Sequence, residues 1–521
     1  MTTVARGPFI RRVSLVNEAV SSTGQKALAL NRDPKPYGTF AEIGGGQEVA
    51  RWCFHVGGAA GTVAKTISAY DMTVSDAVYG PSQQYVSRQR LEAMLDHEYG
   101  QLLERLGDKR GNTTTFFVFA DTVTTRDCHY LEHGHGWVGI RFEGKPRSRP
   151  SEIIVHAHLL DSTSVRQQEA LGILGINLIF AAFYRRQKPA ALIGSLMDEL
   201  SRERVEIDMI KLSGPVFAGV DNRLMSLQLV EQSLTDAAMF TARGEVVQPS
   251  EVLHKRPILV ERGNFRPVTK LTLDLLERAR EQFIKEPGVL GQQPAILAEM
   301  TLRSLIPGPE VGHSDFLARA DILGALGIDV LISRFELYYR LADYLIHYTD
   351  RMIGIAMGLP SVKKIMDEKY YRDLSGGVLE SAGRLFKRKI KVYVYPGRDP
   401  RTGRVYTVET TPLPPPWQHL RALLLEMRRL EPIRNYNESY LEIFPQDVLK
   451  KIEHPDSSWE DMVPPRVAEM IKAKRLFRSK AAARTTNTST MPALADDPAI
   501  DLLKSRGAPE PMAPHLKGRP L

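Results

Sequence analysis

Two glycine clusters near the N-terminus have the composition of a ligand-binding loop. Glycine lets main-chain N–H groups approach an anion closely, and a helix that starts there adds a favourable dipole. Arg51 follows the first cluster and Lys65 follows the second, so each cluster has a cation nearby. We expect this segment to bind the ligand. Its candidate residues are Gly44, Gly45, Gly46, Gln47, Arg51, Gly57, Gly58, Gly61 and Lys65.

Neither glycine cluster completes a known phosphate-binding motif. A P-loop needs glycine where this sequence has Ala59 and Ala64 ahead of the lysine. The spacing Gly44-x-Gly46-x-x-Val49 lacks the third glycine of the dinucleotide fingerprint, and no strand is evident upstream of it. The alternative interpretation is that the glycines serve close packing between helices or a tight turn.

Four polar residues on or near the ends of predicted strands are the candidate catalytic acids and bases. Ligands of open α/β sheets bind beyond the carboxyl ends of strands, and these side-chain types transfer protons. Taken alone, each residue of this kind is more often a cap, a turn residue or a surface charge. The candidates are Asp121, His156, Asp208 and Lys211.

A group of histidines with one cysteine could bind a metal. His156 and His158 are two residues apart on a predicted strand, so both point to one face. Three members of the group with Asp121 could form a zinc site. No pair has Cys-x-x-Cys spacing, and the four-residue spacing of His129 and His133 lies outside any predicted helix, so we assign no metal ligand. The group consists of Cys128, His129, His133, His135, His156 and His158.

Alternating strands and helices predict the architecture that positions these residues. In the C-terminal half, short apolar strands alternate with helices of about ten to fifteen residues, which is typical of right-handed βαβ crossovers. The expected class is α/β, with a mostly parallel sheet there and a mixed α/β N-terminal half that carries the glycine-rich helical segment. The uncharged run Ala170–Tyr184 is too short to span a bilayer and predicts a buried helix.

Changes in composition divide the chain into five regions. Pro412 begins a proline-rich connector, and the last forty or so residues are rich in Ala, Pro, Thr and Ser, which is typical of disorder. The regions are an N-terminal helical arm (1–36), a mixed α/β domain with the glycine-rich segment (37–290), a parallel α/β domain (291–411), a helical extension (412–477) and a disordered basic tail (478–521).

Charge and cysteine content narrow the compartment and the partners. The net charge is +8, and residues 473–521 hold nine Lys/Arg against four Asp/Glu, which leaves the body nearly neutral. We therefore expect no nucleic-acid partner for the body. Two cysteines and an N-terminus without an apolar signal region indicate a cytoplasmic protein without a membrane partner. A homo-oligomer is possible.

Three stretches resemble a bacterial family of soluble, functionally uncharacterised proteins of about this length. They are residues 37–51, 57–71 and 260–267, and the likeness runs from about residue 20 to about residue 477. Members are often named TonB-dependent receptor or nicotinate-nucleotide adenylyltransferase. A receptor would need a signal peptide and many alternating membrane strands. The adenylyltransferase would need a His-x-Gly-His motif, whereas residues 133–136 read His-Gly-His-Gly. The resemblance implies a cytosolic bacterial protein and adds no chemistry.

Together these features favour a cytosolic enzyme that acts on an anionic, phosphorylated or nucleotide-like small molecule. Its reaction class and cofactor stay unassigned. The alternative is a non-catalytic scaffold or self-assembling protein, in which the glycines form a packing surface. The second alternative is a metal-dependent hydrolase that uses the histidine group.

Overall fold

Two β-sheets, each covered by helices, make up the part of the chain that the computed structural model describes, residues 22–126, 134–305, 312–387, 389–454 and 456–477. The predicted disordered tail, 478–521, and most of the predicted N-terminal arm lie outside these residues. The strands are β1 (Pro36–Ile43), β2 (Val63–Ile67), β3 (Thr115–Thr124), β4 (Gly134–Glu143), β5 (Pro150–Leu159), β6 (Val205–Ser213), β7 (Ala237–Phe240), β8 (Val246–Val247), β9 (Ile258–Arg262), β10 (Ala295–Thr301), β11 (Asp329–Ser333), β12 (Ile353–Gly358), β13 (Ile390–Tyr395), β14 (Gly397–Arg398), β15 (Val405–Tyr406) and β16 (Leu430–Pro432).

The helices are distributed over the whole described chain. They are α1 (Thr23–Arg32), α2 (Glu48–His55), α3 (Met72–Tyr79), α4 (Arg88–Arg110), α5 (Ser164–Tyr184), α6 (Pro189–Ser195), α7 (Asn222–Glu231), α8 (Pro249–Leu253), α9 (Lys270–Phe283), α10 (Leu302–Leu305), α11 (His313–Ala325), α12 (Tyr338–Tyr348), α13 (Leu359–Ile365), α14 (Gly377–Leu385), α15 (Pro415–Glu426), α16 (Pro445–Glu453) and α17 (Pro465–Lys474).

The first sheet is mixed and has the strand order β2-β1-β3-β4-β5-β6. β1 is parallel to β2 and β3, and β3 to β6 form an antiparallel meander. One face packs on α1, α2 and α5, and the other packs on α4. The apolar run Ala170–Tyr184 forms most of α5 and is largely buried against the sheet, as the sequence predicts.

The second sheet has the order β16-β13-β12-β9-β10-β11-β7-β8. Its strands from β16 to β11 are parallel, and β7 and β8 form an antiparallel edge. This confirms the predicted α/β class with a mostly parallel sheet in the C-terminal half. The sheet begins at Ala237 and ends at Pro432, so its strands lie on both sides of the expected boundaries at 290 and 411.

β1 corrects one expectation from the sequence, because it ends directly before the first glycine cluster where no strand was evident. The strand is buried on both faces, so its residues do not alternate between apolar and polar. It also contains Gly38, where an added Cβ would lie 2.2 Å from the main-chain oxygen of Phe117 on β3. Close approach to β3 therefore explains a glycine that interrupts the strand pattern.

Two glycines of α5 let α2 pack closely against it. An added Cβ at Gly172 would lie 3.1 Å from Glu48 Cβ, and one at Gly175 would lie 2.3 Å from Val49 Cγ2 and 3.0 Å from Phe119. The close packing of glycines that the sequence suggests also occurs in the first glycine cluster, where an added Cβ at Gly45 would lie 2.3 Å from Leu171 of α5. In the second cluster, Gly57 has open space at its Cβ position.

Alanine substitutions at two helical glycines should change the stability in opposite directions. Gly175→Ala should lower the free energy of unfolding by about 1–3 kcal/mol, because the new methyl group would overpack the contact with Val49. Gly107→Ala, in α4 with open space at its Cβ position, should raise it by about 0.4–1 kcal/mol. Urea unfolding measures both. A neutral or stabilising Gly175→Ala would contradict this account of the contact.

Candidate functional site

A cleft of about 1090 Å³ is lined by residues of both sheets and their helices. β4, β5 and β6 of the first sheet provide a histidine-rich wall. The loop after β11 and the helix α12 provide the facing wall, which is rich in arginine and tyrosine. Large clefts with a few convergent polar groups are the usual place for a small-molecule site.

An irregularity in β6 places one carboxylate on the histidine wall. The pairing of β5 with β6 shifts register at His156, which pairs with Met209, while Ala157 pairs with Ile207. Asp208 is the extra residue of this β-bulge, and bulges re-aim side chains. The residues of β6 that pack in the apolar core are odd-numbered before the bulge and even-numbered after it. They are Val205 and Ile207 before it, and Ile210 and Leu212 after it.

The Asp208 carboxylate is buried and fully hydrogen-bonded. Its Oδ1 is 2.7 Å from His156 Nδ1, and its Oδ2 is 3.0 Å from His158 Nε2. Gln248 Nε2 donates a third hydrogen bond to Oδ2 at 3.2 Å. Burial alone would raise the pKa of Asp208, but the two imidazoles hold it below its usual range. Asp208 is therefore ionised at neutral pH.

His135 extends this group towards the cleft. It lies on β4 opposite His158 on β5, and its Nδ1 is 3.3 Å from His156 Nε2. Burial, together with the neighbouring imidazoles, lowers the pKa of His135 to about 4. The pKa of His158 is lowered by burial but raised overall by Asp208. The result is a chain of contacts from a buried carboxylate through His156 to a neutral imidazole at the cleft wall.

The second sheet supplies the residue that completes the group. Gln248 is the N-cap of α8, and its side-chain oxygen accepts a hydrogen bond from the Ser250 amide at 2.7 Å. This contact fixes the amide group, so its nitrogen faces Asp208. The site therefore depends on both sheets, although its histidines come from the first sheet alone.

The facing wall combines cations with aromatic rings. Arg334 and Arg340 are exposed, and neither has an ion-pair partner among the described residues. The Arg340 guanidinium lies 5.7 Å from the ring centre of Tyr339. The rings of Tyr344 and Tyr348 are 5.0 Å apart, centre to centre. Arg202, by contrast, pairs with Asp236 at 2.6 Å.

The cleft is not uniformly basic. Carboxylates lie among its cations and would disfavour a purely anionic ligand, so the free arginines mark one part of the cleft and not the whole. The acidic residues that line it are Glu206, Asp236, Glu336, Asp343 and Asp373.

Two of the four catalytic candidates, His156 and Asp208, are in direct contact at this site. Both lie within strands and not at their ends, so their position differs from the one that the sequence predicts, and their catalytic role stays a prediction. Lys211 is on β6 opposite Ile154 and does not line the cleft. Asp121 is fully buried on β3, where its Oδ1 accepts a hydrogen bond from the Ile43 amide at 3.2 Å.

The glycine-rich segment lies away from the cleft, and the N-terminus of α2 binds a carboxylate of the protein itself. Glu42 accepts hydrogen bonds from the amides of Val49 at 2.9 Å and Ala50 at 3.0 Å. Gly44 has φ of 95°, and a Cβ there would lie 1.8 Å from the Val123 oxygen, so this glycine makes a tight turn. Anion binding by this segment stays a prediction, at a place separate from the histidine wall.

The other residues predicted for this segment have partners within the protein. The Gln47 amide donates to Thr66, Arg51 pairs with Glu48 and Lys65 pairs with Glu98. Lys65 lies on β2 and not at the start of a helix, which removes the comparison with a P-loop lysine. The second cluster forms turns and a short 3-10 helix. Its predicted residues are Gly57, Gly58 and Gly61.

Sequence reasoning placed His135 in the histidine group but not among the catalytic candidates, and it did not single out Gln248. One signal for Asp208 was present in the sequence, because the alternation of core residues along β6 breaks at Asp208-Met209. Gln248 is distant in the chain and could not be found in this way. Three members of the predicted histidine group, Cys128, His129 and His133, lie outside the described residues.

No protein-family model and no curated protein matches the sequence. Among solved structures, competence/damage inducible protein CihA from Agrobacterium tumefaciens is similar at 16% identity, covering 30% of this chain and 94% of that one, with a TM-score of 0.22. A CinA superfamily protein from Enterobacter cloacae is similar at 12% identity, with coverage of 32% and 96% and a TM-score of 0.23.

Nicotinic acid mononucleotide adenylyltransferase from Plasmodium falciparum is similar at 11% identity, covering 43% of this chain and 97% of that one, with a TM-score of 0.26. At such TM-scores these likenesses assign neither a fold family nor an activity. The TonB-dependent receptor name finds no support in the comparisons. Among the described helices, none is long and apolar enough to cross a membrane.

The carboxyl pair beside the glycine turn should make stability depend on pH. Burial raises the pKa of Glu42 to about 7, although the Val49 and Ala50 amides oppose this, and burial next to Glu42 also raises the pKa of Asp121. Glu42 therefore binds a proton more tightly in the folded chain than in the unfolded chain. Its contribution to the free energy of unfolding is complete below about pH 4.5 and is lost as the pH rises to about 7.

Glu42→Gln should flatten this dependence. Between pH 4.5 and 7 the wild type should lose up to about 1.4 kcal/mol per pH unit from this group, and the variant should lose less. Urea unfolding at several pH values measures the slopes. Glu453→Gln, a change at a half-buried position in α16 that is not among the groups acting on Glu42, is the matched control and should keep the wild-type slope. Equal slopes for wild type and Glu42→Gln would contradict the assignment.

Proposed function

We propose that the protein is a cytoplasmic enzyme that acts on an anionic, nucleotide-like small molecule bound in the cleft. The reaction takes place at the histidine wall, with His135, His156 and Asp208 as its central residues. The observation that carries the proposal is the buried Asp208 carboxylate, which two imidazoles contact at the wall of a cleft of about 1090 Å³.

The cost of burying this group supports a functional role. Taking a carboxylate out of water is unfavourable, and well-packed apolar residues usually stabilise a fold at least as well as a buried charged network. The pKa of His135, which lines the cleft, is also perturbed, and this is typical of functional sites. A role in binding or catalysis therefore explains the buried carboxylate better than a contribution to the stability of the fold does.

Asp208 determines which nitrogen of His156 is available. An ionised carboxylate can only accept a hydrogen bond, so His156 carries its proton on Nδ1 and presents the lone pair of Nε2. That nitrogen faces His135 and the cleft. An imidazole oriented in this way can accept a proton or bind an electrophile at a fixed position.

The facing wall supports the choice of ligand. Arg334 directly follows the carboxyl end of β11, and ligands of parallel sheets bind at such ends. Arg334 and Arg340 suit an anionic group such as a phosphate, because guanidinium groups form paired hydrogen bonds with its oxygens. Tyr370, which is exposed at the cleft, offers an aromatic ring on which a planar base could stack. An anion joined to a ring would match both features.

The ligand should bind through the two arginines. In a thermal-shift screen of nucleotides and sugar phosphates, at least one compound should raise the melting temperature of the wild-type protein. The double variant Arg334→Gln/Arg340→Gln should lower its affinity at least about tenfold, because two charge-assisted contacts are lost. Arg401→Gln, at an exposed position outside the cleft, should bind like the wild type.

The scaffold alternative makes the opposite prediction. If no compound shifts the melting temperature while light scattering shows large assemblies, the enzyme proposal fails. A ligand that binds equally well to the double arginine variant would also contradict it, because the anion would then lie elsewhere.

A further inference from the structure

We propose that His135 and His156 bind one divalent transition-metal ion of the zinc class, through Nδ1 and Nε2 respectively. Asp208 is a positioning residue that holds His156 from behind. The inference rests on the proposed function, because the metal would lie at the histidine wall where we place the reaction. It gives that enzyme a cofactor, and it concerns residues whose metal-binding role the sequence leaves open.

The distance between the two nitrogens carries the inference. His135 Nδ1 and His156 Nε2 face each other at 3.3 Å. In a tetrahedral zinc site with Zn–N bonds of about 2.0–2.1 Å, two ligand nitrogens lie about 3.3–3.4 Å apart. Hydrogen bonds from an N–H donor to oxygen usually span about 2.7–3.2 Å, and this contact lies just beyond that range. The spacing therefore fits two ligands of a shared ion at least as well as a hydrogen bond.

The contacts of Asp208 with its two histidines are hydrogen bonds and do not have the spacing of two metal ligands. Its oxygens lie 2.7 Å from His156 Nδ1 and 3.0 Å from His158 Nε2, which are hydrogen-bond distances and are too short for two ligands of one tetrahedral ion. Metal-binding histidines commonly donate their other N–H to a carboxylate, which fixes the tautomer and raises the basicity of the ligand. Asp208 occupies that outer position for His156.

A different ligand set uses the same region of the site. Donor atoms of His156, His158 and Asp208 all lie within 4.8 Å of one another and could form a three-ligand site. An ion there would have to replace both hydrogen bonds to Asp208. The His135–His156 arrangement keeps those bonds and leaves the remaining coordination positions towards the cleft, where the anionic ligand would lie. We therefore favour His135 and His156 as the ligands.

Metal titrations of the full chain can test the ligand set. The protein is stripped with a chelator, dialysed and titrated with Zn²⁺ by calorimetry, and with Co²⁺ by visible absorption. We expect one ion per chain. His135→Gln and His156→Gln should each weaken zinc binding at least about 100-fold, and Asp208→Asn about 10–100-fold. His158→Gln should have a smaller effect than His135→Gln.

Two further histidines of the cleft are matched controls. His254 and His347 are exposed and lie outside the group, so His254→Gln and His347→Gln should bind zinc like the wild type. Circular dichroism shows whether each variant is folded. Because Asp208 is buried and its variant could unfold, the decisive comparison is between His135→Gln and His158→Gln, whose side chains are half-buried.

The outcomes separate this inference from the proposed function. Absence of stoichiometric zinc binding, or full loss in His158→Gln with retention in His135→Gln, overturns the inference. Ligand binding is measured by thermal shift on the chelator-treated protein. If ligand binding persists there while zinc does not bind, the metal proposal fails and the proposed function stands. If zinc binds as expected but no ligand binds through the arginines, the proposed function fails and the metal site stands.

Discussion

A single buried carboxylate organises the candidate site. Asp208 is ionised in a place that water does not reach, and such a charge persists only if its oxygens are fully hydrogen-bonded. Two imidazoles of β5 and the Gln248 amide meet that requirement. The histidines belong to the first sheet, and Gln248 directly follows β8 of the second sheet. The hydrogen bonds of one carboxylate therefore link the packing of the two sheets to the geometry of the cleft.

The two sheets make different contributions. The antiparallel meander of the first sheet brings side chains of neighbouring strands to one face at short range, which is how His135 comes to lie opposite His158. The parallel sheet instead presents its loops at the carboxyl ends of its strands, and Arg334 follows β11 there. The proposed reactive groups thus lie on strands of a sheet, and the proposed ligand-recognising groups lie on a loop and a helix.

The sequence predicts the fold better than it predicts the site. The parallel sheet follows from local signals, since residues 329–333 and 390–395 are short apolar runs and match β11 and β13. β1 could not be predicted because it is buried on both faces and because Gly38 is required by its close contact with β3, which lies far away in the sequence. At the site, the contact between His156 and Asp208 depends on the pairing of β5 with β6. The contact between Gln248 and Asp208 depends on the packing of the two sheets. Neither is a property of local sequence.

The bulge in β6 has an evolutionary consequence. Side chains of a strand alternate between faces, so one residue more or fewer reverses every position that follows. A chain that lost Asp208 alone could pair with β5 regularly and keep its apolar core on the proper side. It would then present no carboxylate to the histidines. Point substitution can tune this site, but a one-residue deletion would erase it and leave the sheet intact.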